Sequence, residues 1–224
     1  MYKFIPMNSF TEENYLKAIY KLTEQTDSEV STNSIAKKMS TKAATVTDML
    51  KKLSLKKSIH YQKYQGVSLT TSGKKIAVNI IRKHRLWEFF LVKKLNFKWD
   101  QVHGIAEELE HIHSNELTEK LDRFLGFPKF DPHGDPIPDG DGKFHNTKSQ
   151  LLEEAVLNKS YIITGVVDHS SSFLQYLDSA GIVLGKEIKV KERTLYDKSL
   201  QAQLSGKKVF ISNEVAKNIL VSKK

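Results

Sequence analysis

Residues 31–70 read STNSIAKKMSTKAATVTDMLKKLSLKKSIHYQKYQGVSLT, and the succession of patterns within them decides the fold. Ser31–Met39 begins with Ser/Thr capping options and reads as a short helix. Ser40–Lys42 makes a turn, and Ala43–Lys56 is a second helix with Val46, Leu50 and Leu53 along one side. Two short helices joined by a tight turn form a helix-turn-helix. The period then changes: in Ser58–Thr70, Ile59 and Tyr61 alternate, as do Val67 and Leu69, with Tyr64-Gln65-Gly66 as the turn between them. A hairpin directly after the second helix is the layout of a winged helix. In that layout the second helix presents its N-terminal residues to base edges in the major groove. Lys42, Ala44, Thr45, Thr47 and Asp48 are the candidate positions. Lys37, Lys51 and Lys52, with Lys56 and Lys57, are candidate phosphate contacts, as is Lys63 near the hairpin tip. A small three-helix core without a DNA partner would carry the same pattern.

Charge favours the polyanion reading. Formal net charge is +9, and Lys37–Lys63 holds eight lysines against one acid, Asp48. A basic end suggests nucleic acid, although ordinary solubility charge gives the same count. Hydrophobic residues make up 39% of the 224-residue chain, which excludes disordered and membrane compositions, and the length accommodates two or three small domains. No apolar run spans a bilayer, and MYKFIPMNSF lacks the layout of a secretion signal. Without cysteine there is neither a disulfide framework nor a thiolate metal ligand. The expectation is a cytoplasmic protein.

Upstream, Thr11–Glu24 is helical, with Tyr15, Ala18, Ile19 and Leu22 recurring at helical spacing and Thr11 as its expected N-cap. Downstream, Gly73–Leu95 reads as one long helix, capped from Thr70–Ser72, followed by helices at Asp100–His113 and Glu116–Leu125. The apolar side of this region (Ile76, Ile80, Trp87, Phe90, Leu91) exceeds what one short helix needs, which suggests a dimer interface.

The middle of the chain also carries ligand chemistry. On one continuous helix, His103, Glu107, Glu110 and His111 fall on one face and Val102, Ile105, Ala106, Leu109 and Ile112 on the other. Two imidazoles and two carboxylates form a nitrogen-and-oxygen set suited to a divalent transition metal, or merely a solvated polar face. His84 and Glu88, four apart in the long helix, are a second such pair. Gly126–Thr147 is a Pro- and Gly-rich loop in which Asp131 and His133 could add ligands. From Ser149 the pattern becomes short strands at Tyr161–Val167, Glu187–Thr194, Ser199–Leu204 and Lys208–Ile211, with a helix at Ser170–Ala180, suggesting a small barrel.

Taken together, FTEENYLKAIYKL, RKHRLWE, VHGIAEELEHIHSNEL and PHGDPIP resemble the iron- and manganese-dependent repressors related to the diphtheria toxin repressor. The resemblance implies a mainly helical protein with small β parts in three domains. These are a winged helix-turn-helix at 1–72, a helical metal-binding and dimerisation domain at 73–148, and an SH3-like β-barrel at 149–224. It implies a primary metal site at Asn14, Glu107, Glu110 and His111. A second site would use His84, Glu88 and His103, completed by Asp168 or His169 from the third domain or by Asp131 or His133 from the loop. Iron sensors of the family place cysteine where Glu107 stands, so the manganese branch is the better likeness, with Fe²⁺ as the alternative and up to two ions per subunit. Asn14 departs from the usual Met or Asp, and Lys17 stands where some manganese sensors carry Glu. The expected function is a metal-dependent repressor that controls metal-ion homeostasis and binds a palindromic operator on double-stranded DNA as a homodimer. In that expectation metal fastens the first helix, through Asn14, to the dimerisation helices. The rival readings are a metal-independent winged-helix regulator and a metallohydrolase. The second lacks an H-E-x-x-H motif and any nucleophile constellation, so no enzymatic activity is expected.

Overall fold

The computed structural model describes residues 8–25, 29–62, 65–146 and 148–224. Lys63, Tyr64 and Thr147 lie outside the described residues, so the expected phosphate contact at the hairpin tip is not placed. The chain divides into two compact units, the first formed by residues 1–84, 107–119 and 138–143, the second by 85–106, 120–137 and 144–224.

The first unit begins with helix α1 (Phe10–Thr23). Its N-cap is Ser9 rather than the expected Thr11. The Ser9 hydroxyl accepts from Glu12 N at 3.3 Å and the Glu12 carboxylate accepts from Ser9 N at 2.8 Å, a reciprocal capping box. Helices α2 (Thr32–Lys38) and α3 (Ala43–Leu55) follow. Val46, Leu50 and Leu53 are fully buried, as their spacing requires, and close a core with Leu16, Ile19 and Ile35. Strands β1 (Ile59–Gln62) and β2 (Gly66–Leu69) pair antiparallel, Ile59 opposite Leu69 and Gln62 opposite Gly66. The helix-turn-helix and its wing therefore form where the sequence places them. Thr70 Oγ1 accepts from Gly73 N at 3.1 Å at the start of helix α4 (Thr71–Leu95). Two shorter helices complete the middle of the chain, α5 (His103–Leu109) and α6 (Asn115–Phe124).

Helix α5 is shorter than expected. It ends at Leu109, and Glu110 and His111 occupy a turn in which Ile112 N bonds to Leu109 O at 3.2 Å. The four ligand-type residues consequently do not share one helical face: Glu107 is exposed, Glu110 and His111 are buried, and Ile112, expected inside, is largely exposed.

The second unit holds a six-stranded antiparallel sheet in the order β3-β8-β4-β5-β6-β7. Its strands are β3 (Gln150–Leu151), β4 (Ser160–Val166), β5 (Glu187–Arg193), β6 (Leu200–Leu204), β7 (Lys207–Ile211) and β8 (Ile219–Lys223). Helix α7 (Ser171–Ser179) joins β4 to β5, and a short helix α8 (Asn213–Ala216) precedes β8. Register shifts at Ile163/Gly165 and Val190/Glu192 bend β4 and β5. The core of this SH3-like part packs Tyr161, Ile163, Leu174, Leu177, Ile188 and Val221. Strands β3 and β8 were not expected from the sequence. A smaller apolar cluster in the same unit gathers Leu86, Leu121 and Ile137 with Trp87 and Phe90 against it. No helix among the described residues is long and apolar enough to cross a membrane.

Candidate metal centre

In the second unit a tight loop brings Asp131 and His133 to Glu88 of α4. The loop is closed by a bridge between Phe130 and Pro136, and the Asp131 carboxylate accepts from His133 N at 2.8 Å and Asp135 N at 2.9 Å. Arg85, three residues before Glu88 on α4, grips the other side of the loop. It donates to Pro136 O at 2.6 Å and Asp135 Oδ2 at 2.9 Å. The loop also docks on the sheet, where Val166 N bonds to His133 O at 3.0 Å.

Glu88, Asp131 and His133 are all buried, and one ligand atom from each lies within 4.8 Å of the other two. His133 donates Nε2–H to Trp99 O at 2.9 Å, which leaves Nδ1 facing Glu88 Oε2 at 3.5 Å. Nδ1 is buried and has no hydrogen-bond partner among the described residues. A ring fixed through one nitrogen by a backbone carbonyl, with the other aimed at carboxylates, is the arrangement of a metal-ligating histidine. The donor set, two carboxylates and one imidazole, fits a divalent cation of the Mn²⁺ type. His103 Nδ1 adds a contact at 3.3 Å to Glu88 Oε1, and His169 stacks on His133 at 4.7 Å between centroids. Asp168 accepts from Ser170 N at 2.8 Å at the start of α7 and is not among the clustered ligand-type residues.

The electrostatics agree. Burial by itself raises the Asp131 pKa, Asp135 and Glu88 raise it further, and His133 and Arg85 offset them only in part, so it reaches about 7. Burial by itself lowers the His133 pKa, but Glu88 and Asp131 outweigh it and push it up to about 9. Both shifts run toward the protonated form, as expected where buried carboxylates lack compensating positive charge. His169, mainly through burial, is held below the usual imidazole range.

The expected primary site, in the first unit, looks different. Glu110 is fully buried, and each of its oxygens is already engaged: Lys17 Nζ lies 2.5 Å from Oε1 and His84 Nδ1 lies 2.6 Å from Oε2. Burial would raise the Glu110 pKa, but His84 and Lys17 together hold it below the usual carboxylate range. Glu107 lies 3.6 Å from the same Lys17 Nζ. His111 Nδ1 bonds to Glu13 Oε2 and His113 Nε2 to Glu13 Oε1, both at 2.7 Å, and Phe10 stacks on His111 at 4.7 Å. Asn14 has a buried amide oxygen without a partner among the described residues, so it is not tied to Glu107, Glu110 or His111. His84, one turn before Glu88 on α4, is engaged here through Glu110. Glu13 and His113 were missed from sequence. Glu13 reads as an ordinary helix-start acid, and nothing local marks its partners almost a hundred residues away.

On the winged helix, Lys37, Lys42, Ala44, Thr45, Asp48 and Lys51 are exposed and Thr47 is partly so. Thr47 Oγ1 bonds to Ala43 O at 3.0 Å, and Lys51 pairs with Asp48 at 3.2 Å on the surface. Lys52, also exposed, and Lys56, partly buried, pair with buried Glu12 at 3.2 and 2.8 Å.

Residues 7–67 match the family model for the iron-dependent repressor N-terminal DNA-binding domain. Residues 70–139 match that for the iron-dependent repressor metal-binding and dimerisation domain, and 150–223 the FeoA domain. The iron-dependent repressor IdeR of Mycobacterium leprae is 31% identical over 57% of this chain and 55% of its own length. The diphtheria toxin repressor of Corynebacterium jeikeium is 29% identical over 57% and 53%. The chain thus spans about half the length of these curated relatives. Among solved structures, a manganese-dependent transcriptional repressor in complex with manganese is 32% identical, with a TM-score of 0.85 over 95% of this chain and 100% of that one. The manganese regulator SloR is 34% identical, with a TM-score of 0.74 over 95% and 98%. With a winged helix in the first unit, a buried carboxylate–imidazole cluster in the second and these matches running nearly end to end, the chain belongs to the family of iron-dependent repressors.

Proposed function

We propose that this protein is a manganese-responsive repressor of metal-homeostasis genes that acts in the cytoplasm as a homodimer on a palindromic operator. The carrying observation is the buried Nδ1 of His133, 3.5 Å from Glu88 Oε2 in a cluster with Asp131 and with no geometric hydrogen-bond partner among the described residues. Glu88, Asp131 and His133 would hold the ion, with His103 and His169 beside them. A divalent cation supplies the charge that two buried carboxylates require and binds only the neutral imidazole. The protein's own part is preparatory. Trp99 O fixes the His133 ring, the Asp131 carboxylate knits the loop from within, and Arg85 ties that loop to α4. Oxygen-rich ligation favours Mn²⁺ over softer-liking metals, and Fe²⁺ is the competitor to be measured.

DNA contact falls to the exposed start of α3. In this reading Thr45 and Thr47 read base edges, Lys51 meets a phosphate, and Lys42, exposed just ahead of α3, takes a phosphate rather than the base edge its position first suggests. The three modules, 1–72, 73–148 and 149–224, then serve as reader, sensor with dimer contact, and SH3-like accessory. A regulator couples its sites by free energy, typically about 1–3 kcal/mol, or 5- to 150-fold in affinity. The test is an operator gel shift with chelator-treated full-length protein, with and without Mn²⁺ or Fe²⁺, at fixed salt. Tighter binding with Mn²⁺, lost in His133→Ala, is expected. Equal binding with and without metal would leave a metal-independent winged-helix regulator.

A further inference from the structure

The junction of α1 with the α5–α6 turn is already complete in charge without a metal. Lys17 is buried, its ammonium sits on Glu110 Oε1 at 2.5 Å and faces Glu107 at 3.6 Å, and His84 takes the other Glu110 oxygen. His111 spends Nδ1 on Glu13, and its Nε2 lies 3.6 Å from the same Glu110 oxygen that Lys17 occupies. A second lysine, Lys83, is buried beside this turn and donates to Ile112 O at 3.4 Å. A divalent ion at the expected donor set would meet one neutral amide, Asn14, and one exposed carboxylate, Glu107, and would have to expel a resident cation from Glu110. The donor set expected at Asn14, Glu107, Glu110 and His111 therefore does not fit a divalent ion in this chain.

We infer that Lys17 is a built-in substitute for a metal at this position: the chain carries its own cation there, binds one divalent ion per subunit, and keeps α1 fastened to the α5–α6 turn whether or not metal is present. The count of one rests on the centre proposed at Glu88, Asp131 and His133. Removing the tether also has a distinct consequence from removing a ligand. Without Lys17, Glu110 is left buried and short of positive charge, which costs stability until another cation arrives.

The experiment counts bound Mn²⁺ on chelator-treated full-length protein by equilibrium dialysis with metal analysis, and measures Tm with and without Mn²⁺. Wild type is expected to hold one ion per chain. Lys17→Glu is expected to hold two, and to melt lower than wild type without Mn²⁺ but recover with it. Glu110→Ala is expected to melt lower while still holding one. Two ions on wild type, an ion lost in Glu110→Ala, or an unchanged count in Lys17→Glu would each overturn the inference. If Lys17→Glu does not fold, Lys17→Gln gives the same readout, since it removes the cation without adding charge. His133→Ala separates the two readings. Loss of the single ion supports the Glu88 centre, whereas retention removes that centre and leaves the Lys17 comparison standing.

Discussion

Gly134 lies against Gly165 so closely that a Cβ at 134 would fall 2.1 Å from Thr164 O and 2.4 Å from Gly165 Cα. Gly134 also has φ of +91°, a conformation in which side chains are strained. The two conditions coincide one residue after His133, so this contact sets how deeply the ligand loop seats on β4. Gly134→Ala should destabilise the protein by ~3 kcal/mol, the combined effect of backbone strain and a clash with backbone atoms that cannot swing aside. It should also weaken Mn²⁺ binding although no ligand is touched. Chemical denaturation together with a Mn²⁺ titration checks both. A variant that loses stability but keeps full Mn²⁺ affinity would show that loop depth does not govern the centre.

The protons at the centre give a second prediction. With pKa values of about 9 for His133 and about 7 for Asp131, the metal-free fold binds more protons than the unfolded chain at neutral pH. The sign follows for each group. The stability due to His133 is full below its unfolded value near 6.5 and is lost as pH rises through about 9. Asp131 likewise favours the protonated fold, and its contribution falls as pH rises from 3.8 to about 7. At the proposed centre Mn²⁺ would displace these protons, so binding at pH 7 should release between about one and two protons per ion. Affinity should rise by roughly tenfold per pH unit from 7 to 9. Calorimetry in buffers of different ionisation heat measures the release directly, and a pH-independent affinity would contradict it.

The salt dependence of DNA binding distinguishes lysines that look alike in sequence. Lys42, Lys51 and Lys52 are all exposed, but Lys52 and Lys56 are paired to buried Glu12. Lys42→Ala and Lys51→Ala should each reduce the slope of log K against log salt by about 0.9, the value for one phosphate contact, on any DNA sequence. Lys56→Ala should leave the slope alone and lower Tm. Thr47→Ala should instead relax base preference with little change in slope. Binding titrations at several salt concentrations on operator and random DNA separate the cases.

What the sequence made legible was what is local. The helix-turn-helix, the wing and the long α4 follow from periodicity and capping over a few residues, and Val46, Leu50 and Leu53 are buried as their spacing demands. The end of α5 was not legible, because the pull on Glu110 and His111 comes from Lys17, His84 and Glu13, from 26 to 98 residues away in the chain. Periodicity runs straight through Glu110 and sees none of them. Strand β8 sits between β3 and β4 yet offers only a short apolar run, Ile219–Val221, which has no alternation to mark it. Ser9 was legible and overlooked. Its spacing to Glu12 is that of a capping box, and Thr11 merely lies nearer the apolar repeat. For the metal centre, the residue types were identifiable, but the choice among Asp131, His133, Asp168 and His169 depends on how the loop folds over α4.

Glu12 itself carries the last prediction, because it does two things at once. It closes the capping box of α1, and from 1% exposure it holds Lys52 and Lys56 at the C-terminal end of α3. Burial would raise its pKa, yet Lys56, the Ser9 N–H and Lys52 together hold it below the usual carboxylate value. A lowered carboxylate pKa means stability that is present above pH 4.5 and is lost as pH falls through the depressed value. Glu12→Gln can still accept from the Ser9 N–H, so the start of α1 should survive, but the charge that binds the two lysines is gone. Because Lys52 is more than half exposed and Lys56 about a quarter, the loss should be about 1–2 kcal/mol at pH 7 rather than that of a fully buried pair. The difference in stability between wild type and Glu12→Gln should shrink as pH is lowered below 4.5. Glu12→Ala, which also loses the cap, should cost about 1 kcal/mol more at every pH. Denaturation of the three proteins across pH 3–7 tests the division of labour, and a Glu12→Gln deficit that stays constant across that range would mean the lysines contribute nothing through charge.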